Sequence, residues 1–134
     1  LDYIIGMSAA ALAGSIIFPT LKYIKHPKGT DVDISTVTAA KVGELPPNSA
    51  KVFRFGNKPA ILVNTPQGVL KAFTAVCPHL NCTVQYSQEA SYILCACHNG
   101  HFDLNGKVIS GPPPKPLEEY KVIVAGQDII VSRT

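Results

Sequence analysis

Cysteine and histidine are concentrated in two short blocks of this 134-residue chain, and this clustering constrains the fold more than any other feature. All four cysteines and three of the four histidines lie within residues 77–101. The first block reads CPHLNC (residues 77–82) and the second reads CACHNGH (residues 95–101). Each block places one thiol and one imidazole on a tight loop, as Cys77-x-His79 and Cys95-x-x-His98. Two such loops can enclose a metal centre if a hairpin brings them together.

Three kinds of chemistry use side chains of this type. A tetrahedral zinc site accepts two cysteines and two histidines, but zinc fingers pair like with like, whereas each block here holds a mixed pair. Two structural disulfides suit an exported domain, but they leave the histidines without a role. A [2Fe–2S] cluster with two histidines on one iron uses the cysteines and histidines of both blocks.

Downstream of residue 31 the apolar residues form short runs separated by turn signals such as Gly43, Pro46-Pro47-Asn48 and Asn105-Gly106. This spacing predicts an all-β domain of short antiparallel strands. The expected strands are Lys51–Phe55, Ala60–Asn64, Val69–Ala75, Tyr92–Cys95, Lys107–Ser110, Tyr120–Val124 and Asp128–Ser132. The last two are expected to form a hairpin that closes the domain. No stretch after Tyr23 has sustained helical periodicity.

The N-terminal segment Tyr3–Leu21 is apolar and carries no charge. A helix of this length spans nearly the ~30 Å hydrocarbon core of a bilayer. The segment is longer than the ~7–15-residue apolar region of a cleaved secretory signal, so residues 1–22 are predicted to be a retained single-pass anchor in membrane lipid. Pro19 is expected to end this helix. Its many small residues predict close packing beside other membrane helices in a multi-subunit complex.

The remaining organisation follows from these two parts. Residues 23–31 are predicted to be a tether, because they contain turn-prone residues and little to bury. Residues 32–134 are predicted to form the head.

The 12 basic and 9 acidic residues give a net charge of +3, without the concentrated basic face that nucleic-acid binding requires. We therefore expect no nucleic-acid partner. The sequence also lacks a nucleophile elbow and a phosphate-binding glycine loop.

The two blocks resemble the cluster-binding boxes of the Rieske iron–sulfur proteins. CPHLNC is similar to the family's C-T-H-L-G-C box, and CACHNGHFD is similar to its C-P-C-H-G-S-x-Y box. GPPPKPL, which begins at Gly111, resembles the proline loop that covers the cluster. The resemblance covers residues 74–117, which would form a cluster-binding subdomain. It implies an all-β Rieske head of antiparallel sheets on the membrane anchor.

The resemblance implies a site residue by residue. One [2Fe–2S] cluster would have two thiolates on its inner iron and two imidazoles on its outer iron: Cys77, Cys95, His79 and His98. A disulfide between Cys82 and Cys97 would tie the two loops together. Five residues would shield the cluster: Leu80, Gly111, Pro112, Pro113 and Pro114. His101 matches no ligand position and is expected to be an exposed loop residue.

The same resemblance implies a function in quinol oxidation. Replacing two thiolates by imidazoles raises the cluster potential to roughly −150 to +300 mV, against about −400 mV for plant-type ferredoxins. His98 would accept the proton of the quinol, and the head would move on its tether to reduce a c-type cytochrome. A cytochrome b subunit would be the other partner, in a dimeric complex of the bacterial plasma membrane.

Other functions of the same family are alternatives. The small subunit of an arsenite oxidase does not need a retained anchor, and Rieske ferredoxins and oxygenase domains generally lack the disulfide. Another membrane-anchored Rieske carrier and a zinc-stabilised interaction domain are further alternatives.

Two arguments predict opposite sides of the membrane for the head. The resemblance places the head on the periplasmic or extracytoplasmic side, whereas Lys22 and Lys25 favour the cytoplasmic side by the positive-inside rule.

Two positions depart from the family pattern. The second box supplies a serine and a tyrosine whose hydroxyls bond to a bridging sulfide and a ligand thiolate, but here these positions are Gly100 and Phe102. Hydrogen bonds to cluster sulfurs raise the reduction potential. We therefore expect a potential at the low end of quinol-oxidising Rieske proteins, which suits menaquinol, and expect Gly100→Ser with Phe102→Tyr to raise it.

Overall fold

A computed structural model describes residues 2–24 and 35–133 of the chain. The chain divides into two compact units, Leu1–Asp31 and Val32–Thr134. The predicted tether lies outside the described residues from residue 25 onward. The elements are α1 (Asp2–Ile24), β1 (Thr36–Lys41), β2 (Ser49–Phe55), β3 (Lys58–Asn64), β4 (Leu70–Thr74), β5 (Gln85–Ser87), β6 (Tyr92–Cys95), β7 (Gly100–Phe102), β8 (Val108–Ser110), β9 (Glu119–Ala125) and β10 (Asp128–Ser132).

The helix α1 continues through Pro19, so the prediction that this proline ends the helix is wrong. Proline removes the backbone donor that would bond to the Ser15 carbonyl, and its ring crowds that carbonyl. Membrane helices tolerate such a break where nearby hydroxyls bond to the backbone. The Thr20 hydroxyl donates to the Ile16 carbonyl at 2.6 Å, one residue beyond the missing bond.

The helix α1 is long and apolar enough to cross a membrane, and none of its residues is buried.

The strands form two antiparallel sheets. The larger sheet has the order β1-β10-β9-β4-β3-β2, and the smaller sheet has the order β5-β6-β7-β8. The seven predicted strands are present, with bounds that differ by no more than two residues, and β1, β5 and β7 are additional. Strands β9 and β10 form the expected hairpin, with Ile129 opposite Val124. The observed architecture is the all-β head predicted from the sequence.

Two apolar cores stabilise the head. One lies within the larger sheet and contains Phe55 stacked on Tyr120, with ring centroids 4.8 Å apart. The other joins the two sheets and includes Cys77 and Cys95; its remaining buried members are Ile61, Val63, Phe73, Ala75, Val84, Ile93, Phe102 and Leu117. Because the two cysteines belong to this core, the loops that carry them are held by the packing of both sheets.

Asn48 links the turn before β2 to the hairpin of β5 and β6. Its backbone has a positive φ of 57°, which asparagine tolerates better than most residues. The Tyr86 hydroxyl donates to Asn48 Oδ1 at 2.7 Å, and Asn48 Nδ2 donates to the Gln88 carbonyl at 3.0 Å. One side chain therefore connects the larger sheet to the smaller one.

Candidate metal centre

The first cysteine loop, between β4 and β5, is a tight backbone turn. The Cys77 N–H donates to the Cys82 carbonyl at 2.8 Å, and the Asn81 N–H donates to the Cys77 carbonyl at 3.0 Å. Asn81 has a positive φ of 59°. Short polar side chains make this conformation accessible to asparagine. The turn therefore brings the two ends of the first block together and leaves His79 and Leu80 at its tip.

The second cysteine loop is the turn between β6 and β7, where Cys95 pairs with Gly100. Asn99 has a positive φ of 54°, as Asn81 has in the first loop. Both residues occupy positions where the Rieske boxes have glycine. Asparagine, which tolerates the left-handed conformation better than most residues, thus stands in both loops where the boxes have glycine.

A disulfide joins the two loops. It links Cys82 to Cys97, whose Cα atoms are 6.6 Å apart, as the resemblance to the family implies. The Cys95 sulfur lies within 4.8 Å of both disulfide sulfurs. These three sulfurs do not form a metal site by themselves, because the disulfide removes two of them as ligands. The Cys82–Cys97 disulfide instead holds the second loop against the first.

Cys77 and Cys95 are free thiols on the inner side of the loops. They are 1% and 2% exposed, respectively. Burial raises the pKa of the Cys77 thiol above its usual range, a backbone hydrogen bond from His79 lowers this pKa, and the neighbouring Cys95 thiol raises it again. A coordinated metal deprotonates such a thiol. Two adjacent buried thiols on a rigid apolar base are therefore suited to soft metal ions.

His79 and His98 lie side by side on the outer side of the loops. Their ring centroids are 4.8 Å apart, and the rings are nearly perpendicular, at 86°. His98 is exposed, His79 is half-buried, and the neighbouring Leu80 side chain is 61% exposed. Two buried thiols and two outward imidazoles are the donor set of a histidine-ligated [2Fe–2S] centre. The residues present therefore fit this cofactor.

The proline loop lies against the second cysteine loop. Of its three consecutive prolines, Pro113 is buried, whereas Pro112 and Pro114 are exposed. Leu117, at the end of the loop, is 4% exposed, and its N–H donates to the Gly106 carbonyl at 2.9 Å. Within this loop, Pro113 is thus the proline that packs into the head.

His101 differs from its expected position in a loop. It lies in β7, between the buried residues Gly100 and Phe102, so its side chain faces away from the core. Its Nδ1 is 2.7 Å from the Ser110 hydroxyl oxygen, and its ring contacts the Tyr92 ring edge to face at 4.8 Å. His101 therefore makes ordinary contacts across the smaller sheet and is separate from the pair of outward imidazoles.

Sequence reasoning overlooked the backbone contacts of this site. The hydrogen bonds from the His79 and Leu80 backbone to the Cys77 sulfur lower the pKa of this thiol, and no residue type signals them. The left-handed asparagines were detectable, because both replace glycine in a recognised box. The burial of Pro113 could not be predicted from the sequence, because three consecutive prolines look equivalent there.

Comparisons with known proteins identify the family of this chain. The model of the Rieske [2Fe–2S] domain matches residues 35–121. The cytochrome b6-f complex iron-sulfur subunit of Chlorobaculum thiosulfatiphilum is 37% identical over 99% of this chain and 73% of the relative. The corresponding subunit 3 of Nostoc is 26% identical over 98% of this chain and 82% of the relative.

A solved structure supports the same assignment. The plasma membrane Rieske protein PetC3 of Synechocystis superposes with a TM-score of 0.66 at 26% identity, over 72% of this chain and 98% of that protein. The ferredoxin of carbazole 1,9a-dioxygenase from Nocardioides aromaticivorans has a TM-score of 0.63 at 24% identity, a likeness of fold. The matched family, the relatives and the paired cysteine loops agree: this chain belongs to the Rieske [2Fe–2S] family and is an electron-transfer protein with one [2Fe–2S] cluster.

Proposed function

We propose that this chain is the iron–sulfur subunit of a cytochrome bc-type or b6f-type quinol oxidoreductase. Its substrate would be a quinol, specifically menaquinol, and its electron acceptor a c-type cytochrome. The relatives that match almost all of this chain are subunits of cytochrome b6-f complexes, which supports this class of assembly. The observation that carries the proposal is that the two loops bring the His79 and His98 rings together and also carry the two buried free thiols.

The four proposed ligands are Cys77, Cys95, His79 and His98. When bound, the cluster accepts and releases one electron. Because His98 is exposed, a quinol hydroxyl can approach its ring and transfer a proton to it. Leu80 provides an apolar surface beside the imidazoles for a quinone ring. The Cys82–Cys97 disulfide keeps the two loops at a fixed separation during repeated turnover.

The helix α1 is proposed to be the single membrane anchor, with the head on the extracytoplasmic side. The disulfide supports this side of the membrane, because such bonds persist in oxidising compartments. The segment Tyr3–Leu21 of α1 carries no charge, and no residue of the helix is buried, which supports contact with lipid and with other membrane helices. Residues 23–31 would be the tether that lets the head move between the quinol site and the cytochrome.

Purification of the native membrane complex tests this function. We expect b-type and c-type haems to co-purify with the chain, and we expect a menaquinol analogue to reduce the c-type cytochrome in the complex. Ubiquinol should be a poorer substrate, because the cluster lacks the hydroxyls that raise its potential. A molybdenum cofactor in place of the haems would contradict the proposal and identify the arsenite-oxidase type of subunit. Co-purification with an oxygenase would also contradict it.

A further inference from the structure

Gly100 has no room for a side chain. A Cβ atom built on this residue would lie 2.7 Å from Cγ and 3.1 Å from Cδ of Pro113. Carbon atoms in good contact are about 3.5–4.0 Å apart. The backbone conformation is not the constraint, because Gly100 is absent from the residues with positive φ. The proline ring itself therefore excludes a larger residue at position 100.

The proline ring cannot easily move away. Proline has a fixed φ and a closed ring, so Cδ shifts only together with the loop backbone and Cγ moves only within the small range that a change of ring pucker allows. Gly111 also fixes the loop. Its φ is 95°, and a Cβ atom there would lie 2.7 Å from the Gly100 Cα and 2.8 Å from the Asn99 carbonyl oxygen. The two backbones thus approach each other closely at Gly111 and Gly100, and Pro113 is buried.

We propose that Pro113 determines which residue can occupy position 100, and that the pair forms a wall without hydroxyl groups beside Cys95. A Cβ atom at residue 100 would lie 3.6 Å from the Cys95 Cβ, so the wall adjoins this cysteine. The proposal rests on the proposed function in one respect, because its effect on potential requires Cys95 to be a cluster ligand. Pro113 is a positioning residue that keeps a serine hydroxyl away from the cluster.

The structure thereby changes the expectation made from the sequence for Gly100→Ser. This replacement alone would force the added Cβ into the Pro113 ring, and overpacking of this kind destabilises a protein. A serine hydroxyl can be accommodated at position 100 only when the Pro113 ring is also removed. Position 100 and position 113 should therefore be changed together.

A double-mutant cycle in the full chain, in detergent, tests this pair. The variants are Gly100→Ser, Pro113→Ala and the two combined. The combined Gly100→Ala and Pro113→Ala variant has the same Cβ atoms but no hydroxyl, and Pro112→Ala removes an exposed proline from the same loop. Denaturant unfolding measures the packing, and a redox titration followed by circular dichroism measures the cluster potential.

We expect Gly100→Ser to lower the folding equilibrium constant at least tenfold, and Pro113→Ala to recover most of this loss in the combined variant. The serine double variant should favour cluster reduction at least tenfold over the alanine double variant, which is an upward shift of about 59 mV. Full stability of Gly100→Ser, no recovery by Pro113→Ala, or equal potentials of the two double variants would overturn the proposal.

Failure of the proposed function gives a different result. If Cys95→Ala leaves the iron content and visible spectrum unchanged, Cys95 is not a ligand and the proposed site is wrong. The unfolding cycle does not depend on that outcome. It would still show whether Pro113 and residue 100 compete for one space.

Discussion

Phe102 shows how one side chain can determine both stability and potential. Its ring is completely buried in the core that also contains Cys77 and Cys95. A hydroxyl added to this ring would be buried as well, and it would require an acceptor to offset its desolvation. The resemblance to the Rieske box implies that a ligand thiolate is this acceptor.

The change Phe102→Tyr is therefore predicted to raise the cluster potential. A hydrogen bond to the thiolate becomes stronger when the cluster gains an electron, so it favours the reduced state and raises the potential. Redox titration of the full chain measures it. Phe102→Leu is the matched control, because it changes the packing without adding a hydroxyl. Equal potentials of the two variants would contradict the prediction.

The disulfide gives a second prediction for individual residues. Cys82 and Cys97 are separated by 15 residues, and a crosslink of this loop size stabilises a fold by about 3 kcal/mol through the unfolded chain. Replacing both with alanine should lower the free energy of unfolding by about this amount and accelerate loss of iron. Denaturant unfolding and an iron-release time course measure the two effects. An unchanged rate of iron release would show that the disulfide does not hold the loops around the cluster.

At the scale of the elements, much of the head was predictable from local pattern. Strand β6 and strand β10 have the predicted bounds, because β-branched and aromatic runs end at clear turn signals. Strand β7 was missed because its residues belong to the cluster-binding box, where glycine and histidine indicate a loop. Strand β1 was missed because it pairs with β10, almost the whole head away in sequence, and only Ala39 and Ala40 are buried.

The residues of the candidate site could be predicted from the sequence, but their contacts with other loops could not. The box pattern predicted that these cysteines and histidines lie together on two loops, because residue type and spacing carry that information, and their role as ligands stays a prediction. The contact between Gly100 and Pro113 depends on how two loops meet in space, and no spacing in the sequence encodes it. The continuation of α1 through Pro19 was missed because the residue's helix-breaking preference does not show how well a membrane helix tolerates proline.

The link between the two sheets gives a prediction at this scale. Tyr86→Phe should lower the free energy of unfolding by about 1 kcal/mol, because the bond to Asn48 is lost. Asn48→Gly retains the positive φ and removes the same bond. The two changes together should destabilise by less than the sum of the single changes. Denaturant unfolding of the four chains measures this coupling, and strict additivity would contradict it.

At the scale of the whole molecule, the chain combines an apolar helix, α1, with a β head whose exposed surface differs from that of the helix. The helix α1 exposes apolar residues all around, which favours lipid or other membrane helices as its surroundings. In the described part of the head, the exposed apolar residue Leu80 directly follows His79 in the chain. An exposed apolar side chain beside a reactive group is suited to contact with an apolar substrate.

Leu80→Ala is accordingly predicted to impair quinol oxidation by the complex. Loss of a leucine contact worth about 1.5–3 kcal/mol should lower kcat/KM for the quinol about tenfold or more, with an unchanged cluster spectrum. Ile109→Ala is the matched control, since Ile109 is exposed to a similar extent, 59% against 61%. Similar effects of both variants would exclude a specific role for Leu80.

We propose that His79 and His98 join Cys77 and Cys95 in holding the cluster. Pulsed electron paramagnetic resonance of the reduced full chain tests it most directly, because nitrogen ligands modulate the spin echo of the cluster. Coupling to two imidazole nitrogens is expected, and His98→Ala should abolish it or reduce it to one nitrogen. A reduced cluster that shows no nitrogen coupling would contradict ligation by His79 and His98.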